Sequence, residues 1–145
     1  MKRRFHLVPD VHLILEREGR VLLLERQNTG FADGQLGLVA GHLEGAETAR
    51  EAMCREAYEE VGLSLHPVDL NLVHLVHRRH GREPERLGLF FRTRRWPGEP
   101  VNAEPEKCAG LHWCAWNRWP ETVIPYVAET LRAIRSRTFY SEWGW

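Results

Sequence analysis

Residues Gly41 to Leu63 read GHLEGAETAREAMCREAYEEVGL, and their spacing predicts one amphipathic helix with an acidic edge. Arg55-Glu56-Ala57-Tyr58-Glu59-Glu60 holds three carboxylates and one guanidinium. On a helix, Glu56, Glu59 and Glu60 fall at i, i+3 and i+4 and share one face. Cys54, Ala57, Tyr58 and Val61 fall at i, i+3, i+4 and i+7 and form an apolar stripe on the other side. Such a helix packs on a core and holds an acidic ridge away from it. Crowded carboxylates repel one another, and hard divalent cations relieve this best. Mg²⁺ and Mn²⁺ prefer oxygen ligands and often combine one or two carboxylates with substrate phosphates. The alternative for an isolated cluster is a solvated face with an Arg55–Glu59 pair at i, i+4, worth about 0.2–0.5 kcal/mol.

The frame around the cluster decides between them. Gly41, five residues, Glu47 and seven residues precede Arg55-Glu56, an apolar residue, one residue and Glu59-Glu60; one residue, Gly62 and an apolar residue follow. This pattern, complete and in register, resembles the Nudix box. Gly41 opens a loop whose carbonyl can face a metal. Thr48 is a candidate helix cap, in competition with Glu47 and the residues just before it. Gly62 lets the chain turn sharply at the helix end.

Upstream, Phe5 to Glu16 reads as a strand, apolar around Leu13-Ile14-Leu15, with Pro9 suggesting an edge or a bulge. Glu18-Gly19-Arg20 turns it into a second strand, Val21 to Arg26. A loop rich in Gly, Asn and Asp, Gln27 to Gly34, leads to a short strand, Leu36 to Ala40. Many Nudix proteins carry a W-x-L-P-G-G pattern here, whereas this chain has Leu36, Val39 and Ala40. Losing the second glycine narrows the room beside Gly41.

Downstream, Val68 to Arg79 is predicted as a strand, His80 to Pro84 as a hairpin tip and Arg86 to Arg95 as its partner. Trp96 to Pro100 is a break, Leu111 to Trp116 a last strand, and Pro125 to Arg137 a helix with proline at its start. Strands with two separate helices indicate an α+β or α/β fold. The resemblance covers nearly the whole chain and implies the Nudix α/β/α sandwich, with a mixed central sheet between the box helix and a C-terminal helix.

At 145 residues the chain is expected to form one domain, 1–145, with a sizeable core. Twenty basic and twenty acidic residues cancel, so the whole molecule has no net pull on nucleic acid or membrane. No apolar run reaches the length of a membrane span. The basic start MKRRFHLVPDVH lacks the apolar region and cleavage site of a signal peptide. Cys54, Cys108 and Cys114 are odd in number and lack CxxC spacing, so reduced thiols are expected. These features point to a soluble, cytoplasmic protein.

The resemblance implies metal-dependent hydrolysis of a nucleoside diphosphate linked to a second group, X, with Mg²⁺ or Mn²⁺ as cofactor. Cations suit such a reaction because the pyrophosphate and its transition state are anionic. Carried onto this chain, the resemblance makes Glu59 and Glu60 the main metal ligands. Glu56 becomes a third ligand or the general base, and the Gly41 carbonyl a further ligand. Arg55 orients the glutamates, and Glu47 is a supporting carboxylate. Outside the box, Glu104 and Glu106 are candidates for a further carboxylate, against the alternative of a solvated loop. Asn102-x-Glu104-Pro105-x-Lys107-Cys108 resembles a segment near the nucleotide in Nudix nucleotide pyrophosphohydrolases.

His42 is placed to reach a substrate phosphate. Phe31 either stacks on a base or packs in the core. His74, His77 and His80 have three-residue spacing, which a strand splits between two faces, so they suit surface or core roles better than zinc. The basic tip His77 to Arg82 reads as a solvated turn in preference to a contact for phosphates or RNA. Of six tryptophans, Trp113, Trp116 and Trp119 are expected between the last strand and final helix. The aromatic tail Thr138 to Trp145 is expected to dock on the domain or on a second subunit, a homodimer.

The window Arg78 to Gly81 lacks the Pro of ADP-ribose pyrophosphatases and the Tyr of dinucleoside-polyphosphate hydrolases, and no coenzyme A signature stands upstream. Elimination and the Glu-Pro-x-Lys-Cys resemblance favour a nucleoside triphosphate, standard or modified, cleaved to monophosphate and pyrophosphate. Two alternatives stand beside it: a non-catalytic nucleotide or nucleotide-sugar sensor, and an RNA 5′-pyrophosphohydrolase. Intact glutamates disfavour the first, and zero net charge without an RNA-binding appendage the second.

Overall fold

A computed structural model describes residues 1–145. Eight strands and two helices follow in the order β1 (Val8–Arg17), β2 (Arg20–Arg26), β3 (Leu36–Gly37), β4 (Val39–His42), α1 (Ala49–Val61), β5 (Asn71–Arg78), β6 (Arg86–Thr93), β7 (Cys108–Ala115), α2 (Pro125–Arg135) and β8 (Tyr140–Trp143). The mixed sheet runs β3-β2-β1-β6-β5-β8, with β4 also on β1 and β7 also on β2. β1/β6 and β5/β8 are parallel, and the other pairs antiparallel.

Strand alternation builds the two-sided core. Val11, Leu13 and Leu15 of β1 point to the α1 side, where they meet Met53, Ala57, Val61 and Phe91. Ile14 points the other way and meets Phe90, Val127, Leu131 and Ile134 around α2. Each fully buried side chain of this size contributes about 1.5–3 kcal/mol relative to exposure. The layers are therefore helix, sheet, helix, as the resemblance implied. No helix is long and apolar enough to cross a membrane.

Local chemistry sets the element ends. The two-residue turn between β1 and β2 has Glu18 and Gly19 at φ of 52° and 71°, the left-handed pair of a type I′ hairpin. Thr48 wins the competition to cap α1, its Oγ1 accepting from the Glu51 amide at 3.1 Å. Gly62, at φ 69°, is the left-handed residue that ends it.

Several expectations are corrected. Tyr58 is exposed, not part of the buried stripe of α1, which consists of Ala52, Met53, Ala57 and Val61. The helix is rotated so that Glu60 takes the half-sheltered position instead. β1 starts at Val8 and lies inside the sheet, with Pro9 just beyond the terminal Asp10–His42 pair with β4. The Leu43 amide still donates to the Pro9 carbonyl at 3.3 Å, but proline has no N–H to return the bond, and the pairing ends there. A 3₁₀ turn, Pro67–Asp69, precedes β5, which begins at Asn71. Trp113 faces the α1 side, stacked near Trp96 at 6.3 Å between ring centres. Trp116 and Trp119 lie on the α2 side as expected.

The aromatic tail docks on its own chain as a strand, β8, parallel to β5. His74 holds it there. Its Nδ1–H donates to the Thr138 carbonyl at 2.7 Å, and its Nε2 accepts from Ser141 Oγ at 2.7 Å. Burial lowers the His74 pKa, so the neutral ring serves both partners.

Candidate active site

Glu56, Glu59 and Glu60 stand on the second half of α1. Arg55 is the hub. Its Nε and Nη2 donate to the two oxygens of Glu47 at 3.1 and 2.9 Å, and its Nη1 donates to Glu56 Oε1 at 2.8 Å. Nη2 also reaches the His42 carbonyl at 3.1 Å, and Glu59 lies 3.6 Å from Nη1. Hydrogen bonds from Arg55 and the Glu44 amide lower the Glu47 pKa. Glu47 therefore braces the guanidinium, which in turn orients Glu56.

Glu60 faces inward, and its Oε2 accepts the Ala40 amide at 3.0 Å. Burial, and then the neighbouring Glu56 charge, raises its pKa well above the ordinary value. Burial raises that of Glu56 as well. These are costly carboxylates with no cation of the chain to neutralise both.

Glu104 joins them from a distant stretch. The Val101 and Ala103 amides donate to the Val61 and Glu60 carbonyls at 2.9 and 3.1 Å, satisfying the open end of α1. That clamp brings Glu104 into a cleft of about 440 Å³ together with Glu56, Glu59, Glu60, Lys107 and Arg26. Glu106 is not brought there. Its side chain is exposed, and its carbonyl accepts from Asn28 Nδ2 at 3.1 Å, tying the segment to the loop before the box.

No three of these side chains are gathered closely enough to ligate one ion; Glu56 and Glu60 each have an oxygen engaged, by Arg55 and by the Ala40 amide. The donor set nonetheless fits a hard cation. Three carboxylates of one helix and Glu104 line one cleft, and all their donor atoms are oxygen. The backbone makes room for them at Gly41, where a Cβ would overlap the Glu56 carboxyl group. Gly41→Ala is expected to displace that carboxylate and lower turnover roughly tenfold to a hundredfold, with the fold kept. Steady-state kinetics beside circular dichroism checks this, and unchanged kcat would count against Glu56 in the site.

A second cavity, about 350 Å³, adjoins the cleft, and Arg26 and Ala40 line both. Phe31, His42, Tyr126 and Trp143 stand in its wall. Phe31 is 44% exposed and so does not pack in the core; Arg26 lies 5.5 Å over its ring. Arg86 Nη1 and His42 Nε2 are 2.5 Å apart. At the base, Arg78 donates to both oxygens of Asp10 at 3.2 and 2.7 Å and lies 4.3 Å over the Tyr126 ring. Burial opposes ionisation of Asp10, but His12 and Arg78 outweigh it and hold the carboxyl well below the usual range. Burial keeps His12 neutral, so its Nε2–H donates to Asp10 at 2.9 Å.

Asp10, His12, Arg26, Arg78, Arg86, Tyr126 and Trp143 were absent from the candidates read in the sequence. Only Asp10 and His12 left a local signal, polar residues at alternate positions in an otherwise apolar strand. The others converge through pairing of strands far apart in sequence.

The family model described as NUDIX domain matches residues 6–134. An ADP-ribose pyrophosphatase of Methanocaldococcus jannaschii is 41% identical over 64 residues, covering 43% of this chain and 37% of that protein. The NAD-capped RNA hydrolase NudC of Stutzerimonas stutzeri is 28% identical over 128 residues, covering 85% of this chain and 44% of that protein. The chain thus spans less than half the length of these curated relatives. Among solved structures, a MutT NUDIX hydrolase from Burkholderia pseudomallei superposes with a TM-score of 0.79 at 24% identity, covering 88% of this chain and 97% of that one. A MutT protein from Methanosarcina mazei gives 0.79 at 18%, covering 93% and 97%. Likeness at these identities speaks for the fold alone.

Proposed function

The chain belongs to the Nudix family, and on that premise we propose that it hydrolyses a nucleoside diphosphate linked to X, with a divalent cation held at Glu59, Glu60 and the Gly41 carbonyl, and with Glu56 as a third ligand or, as followed below, the general base. The observation that carries this reading is the junction of the carboxylate cleft with the aromatic-walled cavity through Arg26 and Ala40. A phosphate chain crossing that junction has carboxylates on one side and guanidinium groups on the other. A nucleoside fits the second cavity, with Phe31 and Trp143 as stacking surfaces.

A bound Mg²⁺ or Mn²⁺ neutralises phosphate charge and acidifies the attacking water. The chain's own residues do the rest. Arg55 fixes one oxygen of Glu56 and leaves Oε2 to receive the water's proton. Water oxygen bonds to phosphorus, the bridging P–O bond breaks, and the leaving phosphate carries away the electron pair. Arg26 and His42 steady the phosphates. Glu59 and Glu60 hold the cation, and Glu47 keeps Arg55 in place.

The favoured substrate is a nucleoside triphosphate, standard or modified, cleaved to monophosphate and pyrophosphate. The nucleoside-sized cavity beside the carboxylate cleft supports it. A second reading, an ADP-ribose-like or NAD-like pyrophosphate, is favoured by the activities for which the two curated relatives are named. Product analysis separates them across a panel of nucleoside triphosphates, ADP-ribose, NAD, nucleotide sugars and 5′-triphosphorylated RNA. Pyrophosphate release from a nucleoside triphosphate supports the first, and two monophosphate products from ADP-ribose or NAD support the second. Nucleotide binding without turnover of any member would move the site to a sensor.

Glu56 and Glu60 also make stability depend on pH and metal. Each has its folded pKa raised from 4.5. Their stabilising contribution is therefore complete below that value and is lost as pH rises through the folded pKa. A cation binding the ionised pair should restore it, by about 2.7 kcal/mol at a hundred times its Kd, or roughly 5–10 °C in Tm. Thermal melts with Mn²⁺ against chelator are expected to show a larger shift at pH 8 than at pH 5. Equal shifts would contradict this.

A further inference from the structure

Far from the carboxylates, a cleft of about 490 Å³ lies between the ends of β1 and β6 and the α2–β8 connection. Four guanidinium groups line it, those of Arg92, Arg94, Arg135 and Arg137, against one carboxylate, Glu16. In a chain with zero formal net charge, this is a concentrated positive field. Glu16 is already committed: Arg94 Nε and Nη2 donate to it at 3.2 and 3.3 Å, and Arg92 Nε lies 3.9 Å away. It braces those two side chains beneath the cleft. Arg135 and Arg137 have no carboxylate within 4.0 Å.

The backbone adds a second, independent sign. Arg137 N–H donates to the Ile134 carbonyl and Thr138 N–H to the Ala133 carbonyl, the paired bonds of a Schellman end. The residue at its left-handed position is normally glycine. Here Arg137 occupies it at φ 59°. An L side chain there is strained, and the strain puts one more cation into a cleft that already repels cations. Strain kept against local preference points to a role for that side chain. Arg135 alone has a sufficient local reason, at the negative end of α2. Arg137, in the connection beyond that end, does not.

We propose that this cleft binds a di- or triphosphate anion, at a site separate from the proposed catalytic one. Multiple phosphate charge matches the uncompensated guanidinium groups better than a single monoanion, and guanidinium pairs phosphate oxygens in bidentate fashion. Phe139 and Trp116 give the cleft an apolar wall, suited to the organic part of a nucleotide. Asp10 of the second cavity and Glu16 of this cleft are six residues apart on β1, roughly 20 Å along an extended strand. One small ligand cannot span both.

The test is calorimetric titration of the chelator-treated full chain with inorganic pyrophosphate and with ADP. Wild type is compared with Arg135→Ala/Arg137→Gly, whose glycine suits the left-handed position and protects the fold. Arg26→Ala is the control for phosphate binding at the catalytic cleft. Binding that weakens at least tenfold in the double variant, persists in Arg26→Ala and falls with added salt is expected. Metal-dependent turnover in the double variant should stay at the wild-type level when pyrophosphate is absent. Wild-type binding untouched by the double substitution, or lost only in Arg26→Ala, would overturn the site. Preference for a short single-stranded RNA over both small anions would overturn the ligand class. Neither result bears on whether the carboxylate cleft hydrolyses nucleotides.

Discussion

Glu60→Gln and Glu59→Gln are each expected to cut metal-dependent turnover by about a hundredfold to a thousandfold, the scale at which removal of one preorganised electrostatic group acts. The physical reason differs between them. Glu60 is sheltered, its charge opposed by burial and by Glu56, so a bound cation would favour its ionised form. The amide introduced by Glu60→Gln keeps an acceptor for the Ala40 N–H but removes that charge. This variant should therefore keep only that residual turnover yet be more stable than wild type in chelator at pH 8. Glu59 is half exposed at 49% of its side chain, and Glu59→Gln should leave stability nearly unchanged. Kinetics and melts on the same samples check both. Wild-type turnover in the pair would sink the site assignment, and a loss of stability in Glu60→Gln would sink the electrostatic reason given for it.

Asp10→Ala is expected to cost about 3–5 kcal/mol, as removal of one partner from a buried ion pair does. The Asp10 side chain is 4% exposed and that of Arg78 11%. The substitution strands a guanidinium beneath the Tyr126 ring and takes the acceptor from His12 Nε2. For a chain of this size the loss corresponds to roughly 10 °C in Tm. It also has a pH signature. The folded pKa of Asp10 lies below the ordinary 3.8, so its contribution is complete above that value and fades only as pH falls through the folded one. Wild type and variant should differ fully at pH 7 and converge in strong acid. A loss under about 1 kcal/mol at pH 7 would mean that water, not Asp10, compensates Arg78.

The box helix was legible because its information is local. Thr48, Gly62, Arg55 and the glutamates stand within one segment, and helical spacing alone puts Glu56, Glu59 and Glu60 on one face. Tyr58 was misplaced because a thirteen-residue helix offers more than one apolar stripe, and the sheet it packs on selects Met53 and Ala57. The cavity wall was not legible. Arg78 meets Asp10 across 68 positions, through the β5–β6 and β1–β6 pairings that no local pattern encodes. Trp143 enters by a four-residue strand whose exposed, aromatic sequence reads as a tail. Glu104 was separable from Glu106 only once the amides of Val101 and Ala103 were seen clamped on the end of α1.

The most direct measurement is turnover of the full chain stripped of divalent cations, on its best nucleoside-diphosphate substrate, as Mg²⁺ or Mn²⁺ is returned. Activity absent in chelator and restored saturably by the cation is expected of these carboxylates. Equal turnover with and without chelator would contradict a metal-dependent site at Glu56, Glu59 and Glu60.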